Sequence, residues 1–199
     1  MNIAVFASGT GSNFSAIAQA VKRKKLACGL KLLVCDNPKA KVIDKARRAK
    51  VEVLIVDREK FPSKREFEAV IISRLKKDAI DLIVLAGFMR ILSPEFVEAF
   101  KGRIINIHPS LLPSFKGSNG IHDAYDYGAK VTGVTVHFVD EHMDHGPIIL
   151  QKAIPIKEND TPESLEKRIH ALEHKLYPQA IRLFLEGKLE VRGRKTVTS

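Results

Sequence analysis

Two polar side chains close an apolar segment at residues 105–109, where Asn106 and His108 stand two positions apart. If the segment is a strand, successive side chains alternate between faces, so these two lie on the same face. Pro109 ends the strand because proline lacks a backbone donor. An amide can hydrogen-bond a carbonyl oxygen that gains negative charge, and an imidazole can donate a proton near neutral pH. The pair therefore suits a reaction at a carbonyl carbon, and a capping Asn beside a buried structural His explains the pattern equally well.

An acidic loop, residues 140–147, carries three carboxylates and two imidazoles, those of Asp140, Glu141, His142, Asp144 and His145. The sequence predicts no metal here, because no helical His pair and no Cys pair supports a ligand set. A solvated hairpin loop is the plain interpretation. The sharper hypothesis is that Asp144 contacts His108, where a carboxylate would orient the imidazole and favour its protonated form.

A glycine turn, residues 8–13, follows the first apolar segment and precedes a helical pattern. Gly9 and Gly11 shape the turn, and Ser12 and Asn13 open the helix. Backbone amides and the helix dipole converge at such a point, so an anion is the expected ligand, and a phosphate is the natural one. A turn that only reverses the chain is the alternative.

Two further features decide between a dinucleotide and a simple phosphate ester. The dinucleotide fingerprint requires a small residue where Phe14 stands, so a monophosphate is favoured over NAD. Asp36 ends the second strand and could bind a ribose. The Asn37-Pro38 pair that follows makes turn initiation the plainer role for this position.

Strands and helices alternate along the first half of the chain and must position these groups. The predicted strands are residues 2–7, 30–35, 53–56, 80–86 and 103–107, with amphipathic helices between them. Such alternation predicts a parallel sheet with helices on both faces. Two later strands, residues 131–139 and 148–156, are joined by a short loop and should pair antiparallel. The predicted fold is therefore α/β, a Rossmann-like, mostly parallel mixed sheet with an antiparallel end.

Apolar spacing predicts which helix positions face the core. The second helix should bury Val42, Ile43, Ala46 and Ala49, the third Phe67, Val70, Ile71 and Leu75, and the last Leu165, Ile169, Leu172 and Leu176. Ser93-Pro94 starts a helix, as does Thr161-Pro162, and the last helix should kink at Pro178 and end at Gly187. Residues 109–128 are predicted to be a loop. We expect one catalytic domain over residues 1–190 and a flexible basic tail over residues 191–199.

Composition restricts the class of protein. Among 199 residues, no apolar run approaches the length of a membrane span, and only two cysteines occur. Without a secretory pattern at the start, a cytoplasmic location is expected. The formal net charge of +10 is dispersed over helical patches with few aromatic residues between them. We therefore expect small anionic substrates and neither nucleic acid nor membrane as partners.

Four segments, residues 8–13, 86–92, 106–113 and 140–147, together resemble the phosphoribosylglycinamide formyltransferases of purine biosynthesis. The similarity runs in order over residues 3–185. It implies the single-domain formyltransferase fold and transfer of a formyl group from 10-formyltetrahydrofolate to the amine of glycinamide ribonucleotide. The implied mechanism is direct attack by the amine, with a tetrahedral intermediate stabilised by Asn, His and Asp. No metal is implied, and the chain is expected to be a monomer or homodimer.

The resemblance also assigns site residues by position. The catalytic trio is Asn106, His108 and Asp144; the substrate phosphate is assigned to Gly11, Ser12 and Asn13, and the ribose to Glu173. The folate pocket comprises Lys64, Met89, Arg90, Ile91, Leu92, Asn106, Val139, Asp140, Glu141 and Asp144. Three positions depart from patterns seen in some relatives, which carry Arg at Lys64, Pro at Lys116 and His at Asn119.

Two relatives share the Asn, His and Asp arrangement and are the nearest rivals. Formyltetrahydrofolate deformylase uses water as the acceptor and usually has an added N-terminal domain. Methionyl-tRNA formyltransferase usually adds a C-terminal RNA-binding domain. Neither addition is expected here, because the first strand begins at residue 2 and only a short basic segment follows Gly187. From another class, a non-catalytic nucleotide- or RNA-binding module could use the glycine turn and the positive charge.

Overall fold

The computed structural model describes residues 1–198 and forms two compact units, Met1–Ile105 and Asn106–Ser199. The boundary lies within the fifth strand, so the predicted catalytic domain over residues 1–190 includes most of both units. The two units are described in turn.

The first unit alternates strands and helices, as its sequence pattern predicts. Its elements are β1 (Asn2–Phe6), α1 (Ser12–Lys22), β2 (Gly29–Cys35), α2 (Val42–Arg48), β3 (Glu52–Ile55), a 3-10 turn (Arg58–Lys60), α3 (Lys64–Lys77), β4 (Leu82–Leu85), α4 (Pro94–Ala99) and the start of β5 (Ile104–His108). The strand order is β3-β2-β1-β4, and every pair is parallel. All residues of β4 are buried, so both of its faces are covered.

Two helices in this unit begin at a serine cap, of which the sequence predicted the one at Ser93. The Ser93 hydroxyl accepts a hydrogen bond from the Phe96 amide at 3.1 Å, with Pro94 in the first turn of α4. The Ser63 hydroxyl caps α3 in the same way, accepting from the Glu66 amide at 3.1 Å. Each cap satisfies an amide that has no partner within its helix.

The predicted core positions of α2 and α3 are mostly confirmed, with one error in each helix. Ala49 is exposed because α2 ends one residue before it. Val70 is 42% exposed, while Glu68 is only 3% exposed. The interior can hold Glu68 because its carboxylate accepts a hydrogen bond from the Ser93 amide at 2.9 Å. The buried face of α3 is therefore rotated toward Glu68, a position that hydrophobic periodicity alone assigns to solvent.

The second unit begins with the end of β5 and is built largely of antiparallel pairs. Its further elements are α5 (Gly120–Asp126), β6 (Val131–Phe138), β7 (Ile148–Pro155), α6 (Pro162–Leu185), β8 (Leu189–Arg192) and β9 (Lys195–Thr198). The antiparallel pairing of β6 with β7 is confirmed. β9 pairs parallel to β7 at Ile148 and Lys195, and β8 pairs antiparallel to β9.

Two loop predictions in this unit are wrong. The segment predicted as a loop over residues 109–128 contains the helix α5. The segment predicted as a flexible tail over residues 191–199 instead forms most of the β8–β9 hairpin, with Gly193 in the left-handed region at φ 62° in the turn. Ser199 lies outside the described residues. Val191 pairs with Thr196 and Val197 pairs with Glu190, so the two valines lie on opposite faces of the hairpin and leave no single apolar face for the sequence to show.

The long helix α6 follows its predicted limits. Thr161 and Ser164 form a reciprocal capping box at its start. Leu165, Ile169 and Leu176 are buried, and Leu172 is half-buried. The helix continues through Pro178 and ends at Leu185, two residues before Gly187 at φ 66°. Among residues 1–198, no helix combines the length and apolar character needed to cross a membrane.

We predict that Gly133→Ala disrupts the pairing of β6 with β7. An added Cβ atom at this position would lie 2.2 Å from the Lys152 carbonyl oxygen and 2.6 Å from the Leu111 side chain. The backbone must shift to relieve that overlap, so the free energy of unfolding should fall by about 3 kcal/mol or more, measured by urea denaturation.

Gly187→Ala is the matched control, because no atom lies within 4 Å of its added Cβ. It should cost only about 1 kcal/mol, from its left-handed backbone. Equal losses of stability in the two variants would contradict the packing argument.

Candidate active site

The carboxyl end of β5 presents Asn106 and His108, as the alternation of side chains predicts. Asn106 is half-buried, while His108 is only 3% exposed. Both positions belong to the second unit, and Ile105, which precedes them, and Ile107, which lies between them, are buried. The strand thus fixes an amide and an imidazole on one face and packs its apolar residues on the other.

Asp144 in the acidic loop contacts both of these side chains. The Nδ1 atom of His108 lies 3.4 Å from Oδ2 of Asp144. The Nδ2 atom of Asn106 lies 3.5 Å from Oδ1 of the same carboxylate. The contact predicted between His108 and Asp144 is therefore confirmed, although 35 residues lie between them in the chain. An amide, an imidazole and a carboxylate meet at one point.

The carboxylate of Asp144 is buried and held in a defined geometry. The backbone of Asp144 lies in the left-handed region at φ 49°, and its Oδ2 atom accepts a hydrogen bond from the Gly117 amide at 2.9 Å. Two residues later, an added Cβ atom at Gly146 would lie 1.9 Å from the Phe138 carbonyl oxygen. The acidic loop therefore lies directly against the end of β6 at a position that only glycine fits.

Hydrogen bonds and nearby positive charge keep Asp144 ionised. Burial raises the pKa of this carboxyl, but the hydrogen bonds from His137 and Gly117 and the charges of His108 and His137 lower it more. The net effect is a pKa below the ordinary aspartate value. Asp144 is therefore a carboxylate near neutral pH, able to accept hydrogen bonds but not to donate one.

The second ring nitrogen of His108 also faces an oxygen atom. Its Nε2 atom lies 2.7 Å from the Phe115 carbonyl oxygen. A carbonyl oxygen and a carboxylate oxygen can only accept, so each ring nitrogen of His108 faces an acceptor for an N–H group. The imidazole is thus held from both sides.

His137 is a site residue that the sequence analysis missed. Its side chain is 2% exposed, and its Nδ1–H group donates to the Phe138 carbonyl at 2.7 Å. Its Nε2 atom lies 3.3 Å from Nδ2 of Asn106 and 3.8 Å from Oδ1 of Asp144, so the ring contacts both the amide and the carboxylate. The available signal was in β6, where the polar residues Thr135 and His137 alternate with Val134, Val136 and Phe138.

The segment that follows His108 is anchored to the neighbouring strands by a fully buried hydroxyl. Oγ1 of Thr135 donates to the Ser110 carbonyl at 2.7 Å and accepts from the Leu112 amide at 3.1 Å. Nε2 of Gln151 donates both to this hydroxyl and to the Leu112 carbonyl, at 2.9 Å each. Residues 110–112 are therefore fixed to β6 and β7, and the loop over His108 begins after them.

The acidic loop brings three metal-ligand types together without forming a convincing metal site. Ligand atoms of Asp140, His142 and His145 lie within 4.8 Å of one another. Nη1 of Arg194, however, lies 3.0 Å from Nε2 of His145, which places positive charge where a cation would bind. Burial raises the pKa of Asp140, but hydrogen bonds from His145 and the His142 amide lower it by more. The net pKa of Asp140 therefore lies below the ordinary value.

The glycine turn in the first unit has the backbone geometry of an anion site. Gly11 lies at φ 70° immediately before α1, and within residues 1–198 no side chain caps the first turn of this helix. An added Cβ atom at Gly11 would lie 2.4 Å from Cγ2 of Val42, so a side chain cannot be added. The backbone amides of Ser12 and Asn13 at the start of α1 therefore form an anion site suited to a phosphate.

Asp36 is neither the turn residue nor an open ribose ligand. The turn is made by Asn37, whose side-chain oxygen accepts from the Lys39 amide at 3.0 Å. The carboxylate of Asp36 is instead buried against Ser8 and Arg90. Both interpretations of this position from sequence are therefore corrected, because the carboxylate already has two partners.

The remaining residues assigned by resemblance fall into three environments. In the 86–92 segment, Met89 is 67% and Ile91 is 65% exposed, while Leu92 is buried. Lys64 lies at the start of α3, with its Nζ atom 4.0 Å from Oε1 of Glu68. In the acidic loop and before it, Val139 and Asp140 are half-buried and Glu141 is exposed. Two exposed apolar side chains in one short segment are what a flat ring could cover.

Glu173 is buried in α6 beside a titratable partner. Its Oε2 atom lies 2.9 Å from Nδ1 of His170, whose Nε2 atom lies 3.3 Å from Oε1 of Glu166. The hydrogen bond with Glu173, together with the two negative charges, raises the pKa of His170 above its ordinary value despite burial. Tyr177 is fully buried, and its pKa is raised by burial and by the charge of Glu173.

Comparison with known proteins identifies relatives over nearly the whole chain. The family model described as "Formyl transferase" matches residues 1–181. The phosphoribosylglycinamide formyltransferase of Bacillus subtilis (strain 168) is 48% identical over 192 residues, which are 96% of this chain and 97% of that protein. The trifunctional purine biosynthetic protein adenosine-3 of Homo sapiens is 41% identical over 189 residues, which are 95% of this chain but 19% of that longer protein.

Solved structures show the same fold. Glycinamide ribonucleotide transformylase 1 from Symbiobacterium toebii matches with a TM-score of 0.97 and 43% identity, covering 100% of this chain and 93% of that one. Its namesake from Geobacillus kaustophilus matches with a TM-score of 0.90 and 50% identity, covering 92% of this chain and 98% of that one. The predicted α/β fold with a mostly parallel mixed sheet and an antiparallel end is thereby confirmed, as is the resemblance of the four motifs.

We predict that Asp144→Asn lowers stability near neutral pH and not in acid. A carboxylate whose pKa is lowered on folding stabilises the folded state above its unfolded pKa, and the gain is lost as pH falls through the folded value. The variant should therefore be less stable by about 2 kcal/mol at pH 7, with the difference shrinking below about pH 4, in urea denaturation at each pH.

Asp126→Asn is the matched control, since Asp126 is an exposed aspartate in the same unit. It should change stability little at any pH. A loss at Asp144→Asn that does not depend on pH would show that the charge of the carboxylate is not what stabilises the site.

Proposed function

Because this chain belongs to the formyl transferase family, we propose that it transfers the formyl group of 10-formyltetrahydrofolate to the amine of glycinamide ribonucleotide, a step of purine biosynthesis. The observation that carries the proposal is the contact of Asp144 with both His108 and Asn106. That cluster supplies what an acyl transfer needs: a donor for a developing oxyanion, a proton source and a carboxylate that orients it.

The acceptor substrate would be held through its phosphate and its ribose. The amides of Gly11, Ser12 and Asn13 at the start of α1 suit the phosphate, because backbone donors and the helix dipole favour an anion there. Glu173 suits the ribose hydroxyls, since a buried carboxylate can accept two hydrogen bonds from neighbouring hydroxyls. Both assignments rest on the family pattern at these positions.

The formyl donor would be bound by apolar surface and backbone. 10-Formyltetrahydrofolate supplies an activated formyl group on a flat, partly apolar ring system. The exposed side chains of Met89 and Ile91 offer apolar cover, with Arg90 and Leu92 beside them and Lys64 as a cation for the acidic tail. In the second unit, Val139, Asp140 and Glu141 would contribute backbone contacts to the same ligand class.

Asn106 would hold the formyl oxygen as negative charge develops on it. Its Nδ2 atom lies 3.3 Å from Nε2 of His137, which limits the positions that the amide can take. The same Nδ2 atom faces Asp144 over 3.5 Å, a long contact that a substrate oxygen can replace. A donor fixed before the reaction stabilises the oxyanion without the cost of reorganisation.

His108 would donate a proton to the tetrahedral intermediate. Its Nε2–H group is directed to the Phe115 carbonyl, so the substrate oxygen must replace that carbonyl to reach it. Asp144 holds the opposite side of the ring and favours the protonated imidazole. Through a water, Asp144 would also accept the proton that the attacking amine loses.

One assay tests the function directly. The protein is incubated with 10-formyltetrahydrofolate, with and without glycinamide ribonucleotide, and loss of the formyl group is followed by absorbance. Deformylated folate should appear only when the amine acceptor is present. Formation without acceptor would indicate a deformylase, and absence of turnover together with a gel shift of tRNA would indicate an RNA-binding module.

We predict that Asn106→Ala, His108→Ala and Asp144→Ala each lower kcat by about a hundredfold or more while retaining affinity for the phosphate substrate. Each variant removes a group that acts on the reacting atoms and leaves the glycine turn intact. Measurement of kcat and of glycinamide ribonucleotide binding by calorimetry separates the two effects. Met143→Ala, a change at a side chain of the acidic loop that is 54% exposed, is the control for general loop damage. A His108→Ala enzyme with near-normal turnover would contradict the mechanism.

A further inference from the structure

A buried carboxylate in the first unit joins two segments to which the proposed function assigns different substrates. Asp36 ends β2, and its side chain is only 4% exposed. Its Oδ1 atom accepts a hydrogen bond from the Ser8 hydroxyl at 2.5 Å, and its Oδ2 atom accepts from Nε of Arg90 at 2.7 Å. Ser8 belongs to the glycine turn, and Arg90 belongs to the 86–92 segment.

Ser8 makes further hydrogen bonds that tie the same two segments together. Its hydroxyl accepts from the Met89 amide at 2.9 Å, and its own amide donates to the Gly87 carbonyl at 3.0 Å. Nδ2 of Asn37 donates to the Ser8 carbonyl at 3.3 Å. The beginning of the glycine turn and the 86–92 segment therefore form one hydrogen-bonded body, with Asp36 as its only carboxylate among these contacts.

The charge on Asp36 sets the direction of the hydrogen bonds at its two carboxylate oxygens. An ionised carboxylate can only accept, so the single Ser8 hydroxyl proton points to it and the oxygen lone pairs are left for the Met89 amide. The guanidinium of Arg90 compensates the buried charge. Asparagine has the same shape, but its NH₂ group would have to donate to the Ser8 hydroxyl. That substitution reverses the bond, takes away the acceptor of the hydroxyl proton and removes the negative charge opposite Arg90.

Asp36, we propose, is a positioning residue that couples the phosphate-binding turn to the folate-binding segment, so that each substrate binds more tightly when the other is present. The inference rests on the proposed function, which assigns these two segments to the two substrates. A ligand that orders the glycine turn also orders Ser8, and Ser8 with Asp36 then fixes the Met89 backbone and the Arg90 side chain. The second ligand meets an ordered segment and loses less freedom on binding.

The test measures coupling without turnover. Tetrahydrofolate, which has no formyl group to give, is titrated by calorimetry into the full-length protein with and without saturating glycinamide ribonucleotide. In the wild type, the acceptor should tighten tetrahydrofolate binding by about fivefold or more, and reciprocity requires the same factor in the reverse titration. In Asp36→Asn the factor should fall close to one.

Steady-state kinetics supply a second readout, the change in KM compared with the change in kcat. A variant that only lost stability would not reproduce this pattern. Asp36→Asn should raise KM for both substrates more than it lowers kcat, because no group at the reacting atoms changes. Asp44→Asn is the control, because Asp44 is exposed on α2 and its ion pair with Arg47 lies at the surface. Ser8→Ala removes the bridging hydroxyl and keeps the carboxylate, so it should also abolish the coupling, and it decides the question if Asp36→Asn does not fold.

Three outcomes separate the inference from the function on which it rests. A wild type that shows no turnover with both substrates refutes the proposed function. A wild type that turns over normally but shows no mutual tightening overturns the coupling. Coupling that survives in folded Asp36→Asn, or in Ser8→Ala, also overturns it, because the network would then not transmit the effect.

Discussion

The candidate active site depends on the stabilisation of one buried negative charge. A carboxylate removed from water is costly unless hydrogen bonds and opposite charge replace its hydration. Asp144 meets that requirement with the Gly117 amide, the Asn106 amide and two imidazoles. These partners come from β5, β6 and the loop after β5, so the same charge that orients His108 also holds four stretches of chain in one arrangement.

The carboxylates of Asp36 and Asp144 are compensated in different ways. Asp36 faces a guanidinium, a cation that serves no proton transfer, so the pair is a fixed structural joint. Asp144 faces imidazoles, the side chains that most often serve as acids and bases in enzymes. The fixed pair of Asp36 suits a network that holds two segments together. The imidazole partners of Asp144 suit a step in which a proton must move.

Part of the site was predictable from local patterns in the sequence. Alternation along a strand was enough to place Asn106 and His108 on one face, and the glycine turn before α1 followed from backbone chemistry. The contact with Asp144 joins residues 36 positions apart, so no local pattern requires it. The residue types of the acidic loop suggested it as a hypothesis, and the four motifs then supported it. His137 was overlooked because a polar residue within an apolar strand is most often structural, and its role follows from the partner it meets across the sheet. The β8–β9 hairpin and the inward Glu68 were missed because pairing and a single backbone amide, both non-local, decide them.

The contact of the Phe115 carbonyl with His108 has a consequence for both ends of the reaction cycle. Because the imidazole already has an internal partner, an arriving ligand exchanges one hydrogen bond for another and gains only the difference. In the proposed mechanism, the same carbonyl would compete with the oxygen that occupies that position after formyl transfer. The Phe115 carbonyl would therefore weaken ligand binding and speed product release through a single hydrogen bond. A variant whose loop moved this carbonyl away would bind ligands more tightly and release product more slowly.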